Sequence, residues 1–513
     1  MDLFKTKNNQ SNGLLSSIIF IILFGFFLRL NAAINQSFWQ DEVYILNVSR
    51  QHSVNQLLLL QQEDKAHPQL YYLLSNLIAR YNTSPFVLRL PSLIAFIPAV
   101  VFIYLIGVVV FSRRAGILAS FIFAVHPFFV NQGFQAKMYA LTYFLVLGGL
   151  FFALRAVRDQ KFRWSFLSGL FSAAAFYTDY STVWYLLSLL SAWLISSLVW
   201  KEQRRSLLKS LSLTFMVTAL FISVDLPLFL NYFGEAATGE YLGKDWYWYA
   251  RGAIADFSGS WSLPAMIEAI TPSLTVYLVW PIFLLSILIF LGCLKTLAGA
   301  INTASRITEK FFGVFLLSSF FVPVFSSYLF SILYSPIFNP ANLWISGLPF
   351  IFGMALLLIH NRSKILPMVF VLVYILTLAV VSTGRWGFFG ATDWKGLTEQ
   401  LLLRQGRKDV VFLDFEGSIW ARTMSFVDYY LEVPPGNRLK KTVFLHQIDM
   451  NKPIDIKLVN KLSMADRLWL LSNADNADGR LAREKNNQIV KEFQSLLQCQ
   501  KKPCRQVFVV KRD

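Results

Sequence analysis

Two adjacent acidic residues, Asp41 and Glu42, follow the first long apolar segment of the chain. That segment, residues 14–33, is long enough to cross a bilayer, which takes about 20 apolar residues. Charged groups at a membrane boundary are unfavourable unless they are solvated, paired or used in chemistry. A carboxylate used there could take a proton from a hydroxyl group or hold a cation. A solvated turn beside the membrane is the simpler alternative.

Other polar side chains lie where we predict that apolar segments end on the same side of the membrane. They are His67, Tyr71, Tyr72, Arg89, His126, Lys137, Tyr139 and Asp179. Each has a simpler structural explanation. The two histidines precede prolines and could only bond loop carbonyls, and Arg89 could extend along apolar surface toward water. Their gathering at one face is nevertheless the pattern expected of a site there.

The composition indicates a polytopic α-helical membrane protein. The chain has 513 residues, of which 55% are hydrophobic and only 15% are charged. A soluble domain of ordinary composition has about 25% charged residues. The net charge of +17 lies mostly in short loops between apolar segments, which is typical of membrane topology and excludes nucleic acid as the partner. We expect membrane lipids around the chain and a monomer.

Eleven segments are apolar and long enough to be predicted as membrane spans. They are residues 14–33, 92–111, 115–131, 138–155, 164–181, 183–200, 207–230, 273–294, 311–333, 341–359 and 365–382. Alternate short loops carry seventeen Lys and Arg residues on one side and seven on the other. The richer side is cytoplasmic, so we predict a multi-pass protein of the cytoplasmic (inner) membrane with its N-terminus inside. The first outer loop, 34–91, then carries the acidic pair.

The last part of the chain, residues 383–513, has the composition of a soluble domain. Buried strands are predicted at 409–414, 442–446, 466–471 and 506–511, and helices at 393–405, 418–431, 453–463 and 486–498. This alternation predicts a small extracytoplasmic α/β domain with a parallel sheet, after a membrane domain formed by residues 1–382. Cys499 and Cys504 are the only cysteines there, and an oxidising compartment would allow them to form a disulfide; two free thiols are the alternative.

The order of several short motifs resembles the GT-C superfamily of integral-membrane glycosyltransferases. The motifs are Trp39-Gln40-Asp41-Glu42, His67-Pro68-Gln69-Leu70-Tyr71-Tyr72, Arg89-Leu90-Pro91-Ser92, Phe111-Ser112-Arg113-Arg114-Ala115-Gly116, His126-Pro127 and Gln135-Ala136-Lys137-Met138-Tyr139. The chain is most similar to the bacterial branch that resembles protein O-mannosyltransferases and lipid A aminoarabinose transferases. It differs from them at Gln135, where the family more often has glutamate, and at Ala341-Asn342, where many members have Arg-Tyr.

This resemblance implies a GT-C membrane fold and transfer of a sugar from a polyprenyl-phosphate donor to an extracytoplasmic acceptor: a glycan, a lipid or a protein. It assigns the general base to Asp41 and a donor-phosphate role to His67 and Lys137. We group Arg89, Tyr71 and Tyr72 with the phosphate residues, and His126, Tyr139 and Asp179 as further candidates. Direct displacement assisted by one base would invert the anomeric centre, and Glu42 would orient neighbouring groups or coordinate a cation.

The resemblance implies no obligatory cofactor, although Mg²⁺ or Mn²⁺ at Asp41 or Glu42 remains an option. Two other classes of function stay open. A flippase or transporter of lipid-linked sugars is the first alternative, but transporters often contain internal repeats, and we detect none in this sequence. A membrane scaffold is the second, and it would leave the acidic pair unexplained.

Overall fold

The computed structural model describes most of the membrane part of the chain and four strands beyond it. The described residues are 2–36, 38, 40–51, 53–58, 67–235, 272–333, 340–360, 410–414, 443–445, 468–472 and 507–510. The chain divides into two compact units. One consists of Met1–Asn35 with Val48–Phe388, and the other of Gln36–Asn47 with Phe389–Asp513. The predicted domain boundary after residue 382 lies outside the described residues.

Long apolar helices form the first unit. In chain order the α-helices are α1 (Asp2–Asn35), α2 (Gln40–Ser49), α3 (Gln69–Ala79), α4 (Pro85–Val110), α5 (Arg113–Val125), α6 (Pro127–Phe134), α7 (Tyr139–Asp159), α8 (Phe162–Phe176), α9 (Thr182–Val199), α10 (Arg204–Ile222), α11 (Leu226–Glu235), α12 (Pro272–Thr303), α13 (Ile307–Leu333) and α14 (Leu348–His360). A 3₁₀ segment, Pro340–Gly347, leads into α14. Of these helices, α2 bridges the two units along the chain.

Seven helices among the described residues are long and apolar enough to cross a membrane, or eight if one bent pair counts as a single span. The chain is therefore a multi-pass membrane protein. The eleven predicted membrane spans are matched only in part. The segment predicted at 164–181 is the 15-residue helix α8, which is short for a span, and the segment predicted at 365–382 lies outside the described residues.

The segment predicted as one span at 115–131 is broken in two. Helices α5 and α6 meet at an angle of 61°, with His126 between them and Pro127 as the first residue of α6. Proline has no N–H to continue the hydrogen-bond ladder of α5, so the helix cannot run straight through this point. Every residue of α6 is buried in the first unit.

Close helix packing builds the core of the first unit. A Cβ atom on Gly107 would lie 2.4 Å from the Cα of Gly116, so only glycine at this position lets α4 and α5 cross at this distance. Small residues at such crossings are typical of membrane helices. Near the other end of α4, Leu93 packs with Ala33 and Phe134 in a buried apolar cluster. This cluster joins the end of α1 to the end of α6.

The second unit contains a parallel four-stranded sheet. Its strands are β1 (Val410–Asp414), β2 (Val443–Leu445), β3 (Leu468–Ser472) and β4 (Val507–Val510), in the spatial order β2-β1-β3-β4. They lie where the sequence predicts strands, and all neighbouring pairs are parallel. Parallel neighbours need long crossover connections. The helices predicted for those crossovers lie outside the described residues, so the α/β class of this domain stays a prediction.

Candidate active site

The acidic pair occupies the first turn of α2. Glu42 is buried, whereas Asp41 is partly exposed. Carboxylates are stabilised at a helix N-terminus because the free backbone N–H groups there carry partial positive charge. Neighbouring residues of a helix point about 100° apart around its axis, so the two side chains diverge. Both belong to the second unit, and their predicted pairing with the cations of the first unit stays a prediction.

The carboxyl end of the same helix is held by an asparagine on α3. The Asn76 side-chain amide donates hydrogen bonds to the carbonyl oxygens of Ser49, at 2.7 Å, and of Gln51, at 2.8 Å. The last carbonyls of a helix have no partner within the helix, so this amide replaces two missing donors. Asn76 thereby holds the carboxyl end of α2, which belongs to the first unit.

Three of the sequence motifs meet at one buried hydroxyl group, that of Ser92. Its Oγ lies 2.6 Å from the carbonyl oxygen of Gln135 and 3.1 Å from that of Lys137. The hydroxyl of Tyr71 lies 3.5 Å from the same Oγ. Ser92 is 0% exposed. The structure thus brings together residues of three motifs, from α3, α4 and the segment between α6 and α7. Their position at one membrane face stays a prediction.

Lys137 and Tyr139 form a buried pair beside this hydroxyl. The Lys137 Nζ lies 3.3 Å from the Tyr139 hydroxyl and 5.1 Å from the centre of its ring. A lysine close to an aromatic ring is stabilised by attraction between the cation and the negative ring face. Both residues were predicted site residues, and the structure brings them together. Their part in phosphate binding stays a prediction.

Arg89 hydrogen-bonds a backbone carbonyl in the last turn of α1, the helix of the first span. Its guanidinium donates a 2.8 Å hydrogen bond to the carbonyl oxygen of Ala33, and it lies 5.3 Å from the ring centre of Phe134. Ala33 is in the last turn of α1, where carbonyl groups have no partner within the helix. Arg89 is fully buried, so it does not extend to the surface. The predicted phosphate contact of Arg89 stays a prediction.

The His67 motif begins α3. His67 is partly exposed and precedes the helix, whereas Tyr72 is buried within it. The backbone N–H of Leu70 donates to the carbonyl oxygen of Tyr177 at 2.9 Å, which ties the start of α3 to the segment after α8. That segment also holds Asp179.

The carboxylates of Asp179 and Asp225 both accept hydrogen bonds within the protein. The Oδ1 of Asp179 accepts from the backbone N–H of Ser181 at 2.8 Å, at the start of α9. Asp225 accepts from the Tyr180 hydroxyl at 2.9 Å and from the Gln69 amide at 3.4 Å. Burial raises the pKa of Asp225 above its usual value, and the bond from Tyr180 offsets part of that rise. Asp225 thus bonds the first residue of α3 and the segment between α8 and α9.

His126 lies at the break between α5 and α6. It is buried, and its ring contacts the Phe129 ring edge-on at a centroid distance of 5.3 Å. Its backbone carbonyl accepts from the N–H of Val130 at 2.8 Å, so His126 forms the first turn of α6. A role of its ring in the reaction stays a prediction.

A buried cation outside the sequence motifs is Arg29, which lies inside the first span and is 0% exposed. Its guanidinium donates to the carbonyl oxygens of Gly25, Ala124 and Phe129, at 3.0, 2.8 and 3.0 Å. It also lies 3.8 Å from the ring centre of Phe96. The signal was present, because Arg29 is a single charge within an otherwise apolar segment, and such residues are functional candidates by default.

The described residues contain no group of three or more His, Cys, Asp or Glu side chains able to hold a metal ion. The optional Mg²⁺ or Mn²⁺ therefore stays a prediction. The proposed disulfide between Cys499 and Cys504 lies outside the described residues, as does Trp39 of the first motif.

The chain matches the family of dolichyl-phosphate-mannose-protein mannosyltransferases over residues 66–227. This range contains the motifs that begin at His67, Arg89, His126 and Gln135. No curated protein matches the chain by sequence.

Several solved structures with low sequence identity resemble the fold. ArnT from Cupriavidus metallidurans in the apo state is 13% identical, with 88% of this chain and 91% of that chain covered and a TM-score of 0.50. The same protein bound to undecaprenyl phosphate has 13% identity, coverage of 94% and 91%, and a TM-score of 0.49. The oligosaccharyltransferase AglB from Archaeoglobus fulgidus, with an inhibitory peptide and a dolichol-phosphate, has 13% identity, coverage of 82% and 64%, and a TM-score of 0.49. The chain thus spans less than two thirds of the length of AglB.

The family match and the fold shared with apo ArnT confirm the resemblance of this chain to the GT-C superfamily of integral-membrane glycosyltransferases.

Proposed function

We propose that this chain is a membrane glycosyltransferase that transfers a sugar from a polyprenyl-phosphate donor to an acceptor on the extracytoplasmic side. The observation that carries the proposal is the meeting of three family motifs at Ser92, which bonds the turn that carries the buried Lys137. The matched family acts with dolichyl-phosphate mannose, as its description states, which supports a lipid-phosphate donor here.

In the proposed reaction, the acceptor hydroxyl attacks the anomeric carbon of the donor sugar. The bond from that carbon to the phosphate oxygen breaks, a bond to the acceptor oxygen forms, and the acceptor proton moves to the Asp41 carboxylate. Polyprenyl phosphate leaves with the bonding electron pair. Fixed cations stabilise the charge that builds on the departing phosphate, and we assign this role to Lys137 and His67, with Arg89 as a third candidate.

A direct displacement assisted by a single base inverts the configuration at the anomeric carbon of the donor sugar. A retaining course needs a second carboxylate as nucleophile in reach of the same carbon. Glu42 is buried, and its side chain points away from that of Asp41 around the helix. We therefore assign Glu42 to orienting the first turn of α2 or to an optional divalent cation.

Transport of lipid-linked sugars remains the alternative function. One observation favours it: the helix pair α5 and α6 is bent by 61°, and broken helices are common in transporters. A transporter moves its substrate across the membrane without breaking the bond between sugar and phosphate.

The experiment that separates the two functions uses the purified protein in lipid vesicles with radiolabelled polyprenyl-phosphate mannose and cell-envelope extract. The proposed function predicts loss of donor, release of polyprenyl phosphate and label on an acceptor. Movement of intact donor between leaflets with no cleavage would support transport. If mannose is not accepted, other polyprenyl-phosphate sugars should be compared in the same assay.

A further inference from the structure

The segment between α6 and α7 makes a tight turn that is tied to α4 by one hydroxyl group. The backbone N–H of Lys137 donates to the carbonyl oxygen of Gln135 at 2.7 Å, which closes a three-residue turn around Ala136. The same carbonyl oxygen lies 2.6 Å from the Oγ of Ser92. A carbonyl oxygen has two lone pairs and can accept both bonds.

Ser92 can donate only one hydrogen, and the shorter distance assigns it to Gln135 rather than to Lys137, whose carbonyl lies at 3.1 Å. The oxygen of Ser92 then remains available as an acceptor for the Tyr71 hydroxyl at 3.5 Å. The direction of the chain is thus Tyr71 to Ser92 to Gln135. It runs from α3 through α4 into the turn that presents Lys137.

We propose that Ser92 is a positioning residue that fixes the Gln135–Lys137 turn, and with it the Lys137 ammonium, for binding of the donor phosphate. This inference rests on the proposed function, because it takes a lipid phosphate as the ligand of Lys137. Lysine has four rotatable bonds, and its charge binds an anion effectively only where the backbone and the stem are held. The turn closes through its own N–H bond, and Ser92 fixes where the closed turn lies.

The chain offers a matched control for the loss of this hydroxyl. Ser168 is also fully buried, and its Oγ donates a 2.9 Å hydrogen bond to the carbonyl oxygen of Gly149, which joins α8 to α7. Ser168→Ala and Ser92→Ala each remove one buried bond between a serine and a backbone carbonyl. They differ in that only Ser92 bonds the turn that carries Lys137, and only Ser92 also contacts the Tyr71 hydroxyl.

The test measures binding of undecaprenyl phosphate to the full chain in nanodiscs. We expect Ser92→Ala to raise Kd about five- to tenfold, as loss of one positioned hydrogen bond predicts, and Ser168→Ala to leave it unchanged. Both variants should lose a similar part of the thermal stability.

In a Lys137→Met background the Ser92→Ala change should have no further effect on Kd, because the two residues then act as one unit. In the transfer assay, Ser92→Ala should raise KM for the donor while kcat stays within about twofold of wild type.

Equal Kd values for Ser92→Ala and Ser168→Ala would overturn the proposal, and so would a full Ser92→Ala effect in the Lys137→Met background. If Ser92→Ala does not accumulate as folded protein, Ser92→Cys keeps a similar shape with a weaker donor and should still raise Kd. When Ser92→Cys is measured in place of Ser92→Ala, a wild-type Kd in that variant would also contradict the proposal. Failure of the wild-type chain to bind undecaprenyl phosphate would instead reject the lipid-phosphate donor, and with it the proposed function.

Discussion

The Arg29 guanidinium donates a 2.8 Å hydrogen bond to the carbonyl oxygen of Ala124, at the end of α5 where the bent helix pair breaks. Pro127 cannot supply an N–H there, so carbonyl groups at the end of α5 lack partners within the helix. Arg29 also donates to Phe129, in the first turns of α6. One side chain of the first span therefore satisfies carbonyl groups on both sides of the break.

Replacing Arg29 with methionine should destabilise the protein markedly. The variant keeps most of the side-chain volume but removes the hydrogen bonds to the carbonyl oxygens of Ala124 and Phe129, which should lower the unfolding free energy by about 2–4 kcal/mol. Arg29→Lys should lose less stability, since an ammonium group can reach one of these two carbonyl oxygens. The measurement is thermal unfolding in detergent. Arg158→Met is the control, because Arg158 forms an exposed ion pair with Asp159 and should change little. An unchanged Tm in Arg29→Met would contradict this role.

The break at Pro127 shows what sequence patterns could and could not predict of the fold. Apolar residues continue from 115 to 131, so the pattern predicts one span, and the proline alone does not decide between a kink and a sharp bend. Arg29, which bonds carbonyl groups on both sides of the bend, lies 95 residues before Ala124. The seven long helices that could cross a membrane were predictable because each is apolar along its own length, and that is a local property.

The same contrast holds for the site. Tyr71 and Lys137 were predicted to share one membrane face, because the spans between them alternate in direction, and this stays a prediction. The structure shows that the Tyr71 hydroxyl and the Lys137 carbonyl oxygen both lie near the Ser92 Oγ. The hydrogen bonds of Ser92 could not be predicted. A serine hydroxyl gives no sequence signal for the carbonyl group it will bond, and Gln135 lies 43 residues further along the chain. Arg89 was predicted to bind phosphate, whereas its bond to Ala33 depends on where α1 happens to end.

Asp225 should make stability depend on pH. Burial raises its pKa in the folded protein, so ionisation of this carboxyl is less favourable there than in the unfolded chain. Its contribution to stability is fully present below the usual aspartate value of 3.8 and is lost as the pH rises through the folded-state pKa. Asp225→Asn should remove this loss, so its Tm should fall less than that of wild type from about pH 4 to about pH 7.

The control for this titration is Asp159→Asn, which removes a carboxylate that pairs with Arg155 at 2.6 Å. That variant should keep the wild-type loss of stability on raising the pH. If Asp225→Asn and wild type show the same change in Tm over the whole range, Asp225 does not titrate as described.

Loss of Lys137 or His67 should weaken donor binding and leave the choice of acceptor unchanged. Each charge-assisted contact to phosphate contributes about 1.5–3 kcal/mol, so Lys137→Met and His67→Ala should each raise the Kd for undecaprenyl phosphate by about 10- to 150-fold. Lys161→Met is the control, because Lys161 lies in the loop between α7 and α8 that we predict on the cytoplasmic side. Normal donor affinity in both site variants would reject this assignment.

The predicted orientation places the N-terminus in the cytoplasm and residues 383–513 outside. A reporter that works only in the cytoplasm should give no signal when fused after Asp513 and a strong signal when fused before Met1. The reverse result would place Asp41 on the cytoplasmic face and would exclude an extracytoplasmic acceptor.

The central claim is that Asp41 accepts the acceptor proton, and the most direct measurement compares sugar transfer and donor binding in Asp41→Asn. The variant keeps the shape of the side chain but cannot act as the base, so the transfer rate should fall about 10²–10⁴-fold while the Kd for undecaprenyl phosphate stays near wild type. Glu42→Gln should lose less activity, and the control Asp159→Asn should lose none. If Asp41→Asn transfers sugar at a rate near that of wild type, Asp41 is not the general base and the proposed mechanism is wrong.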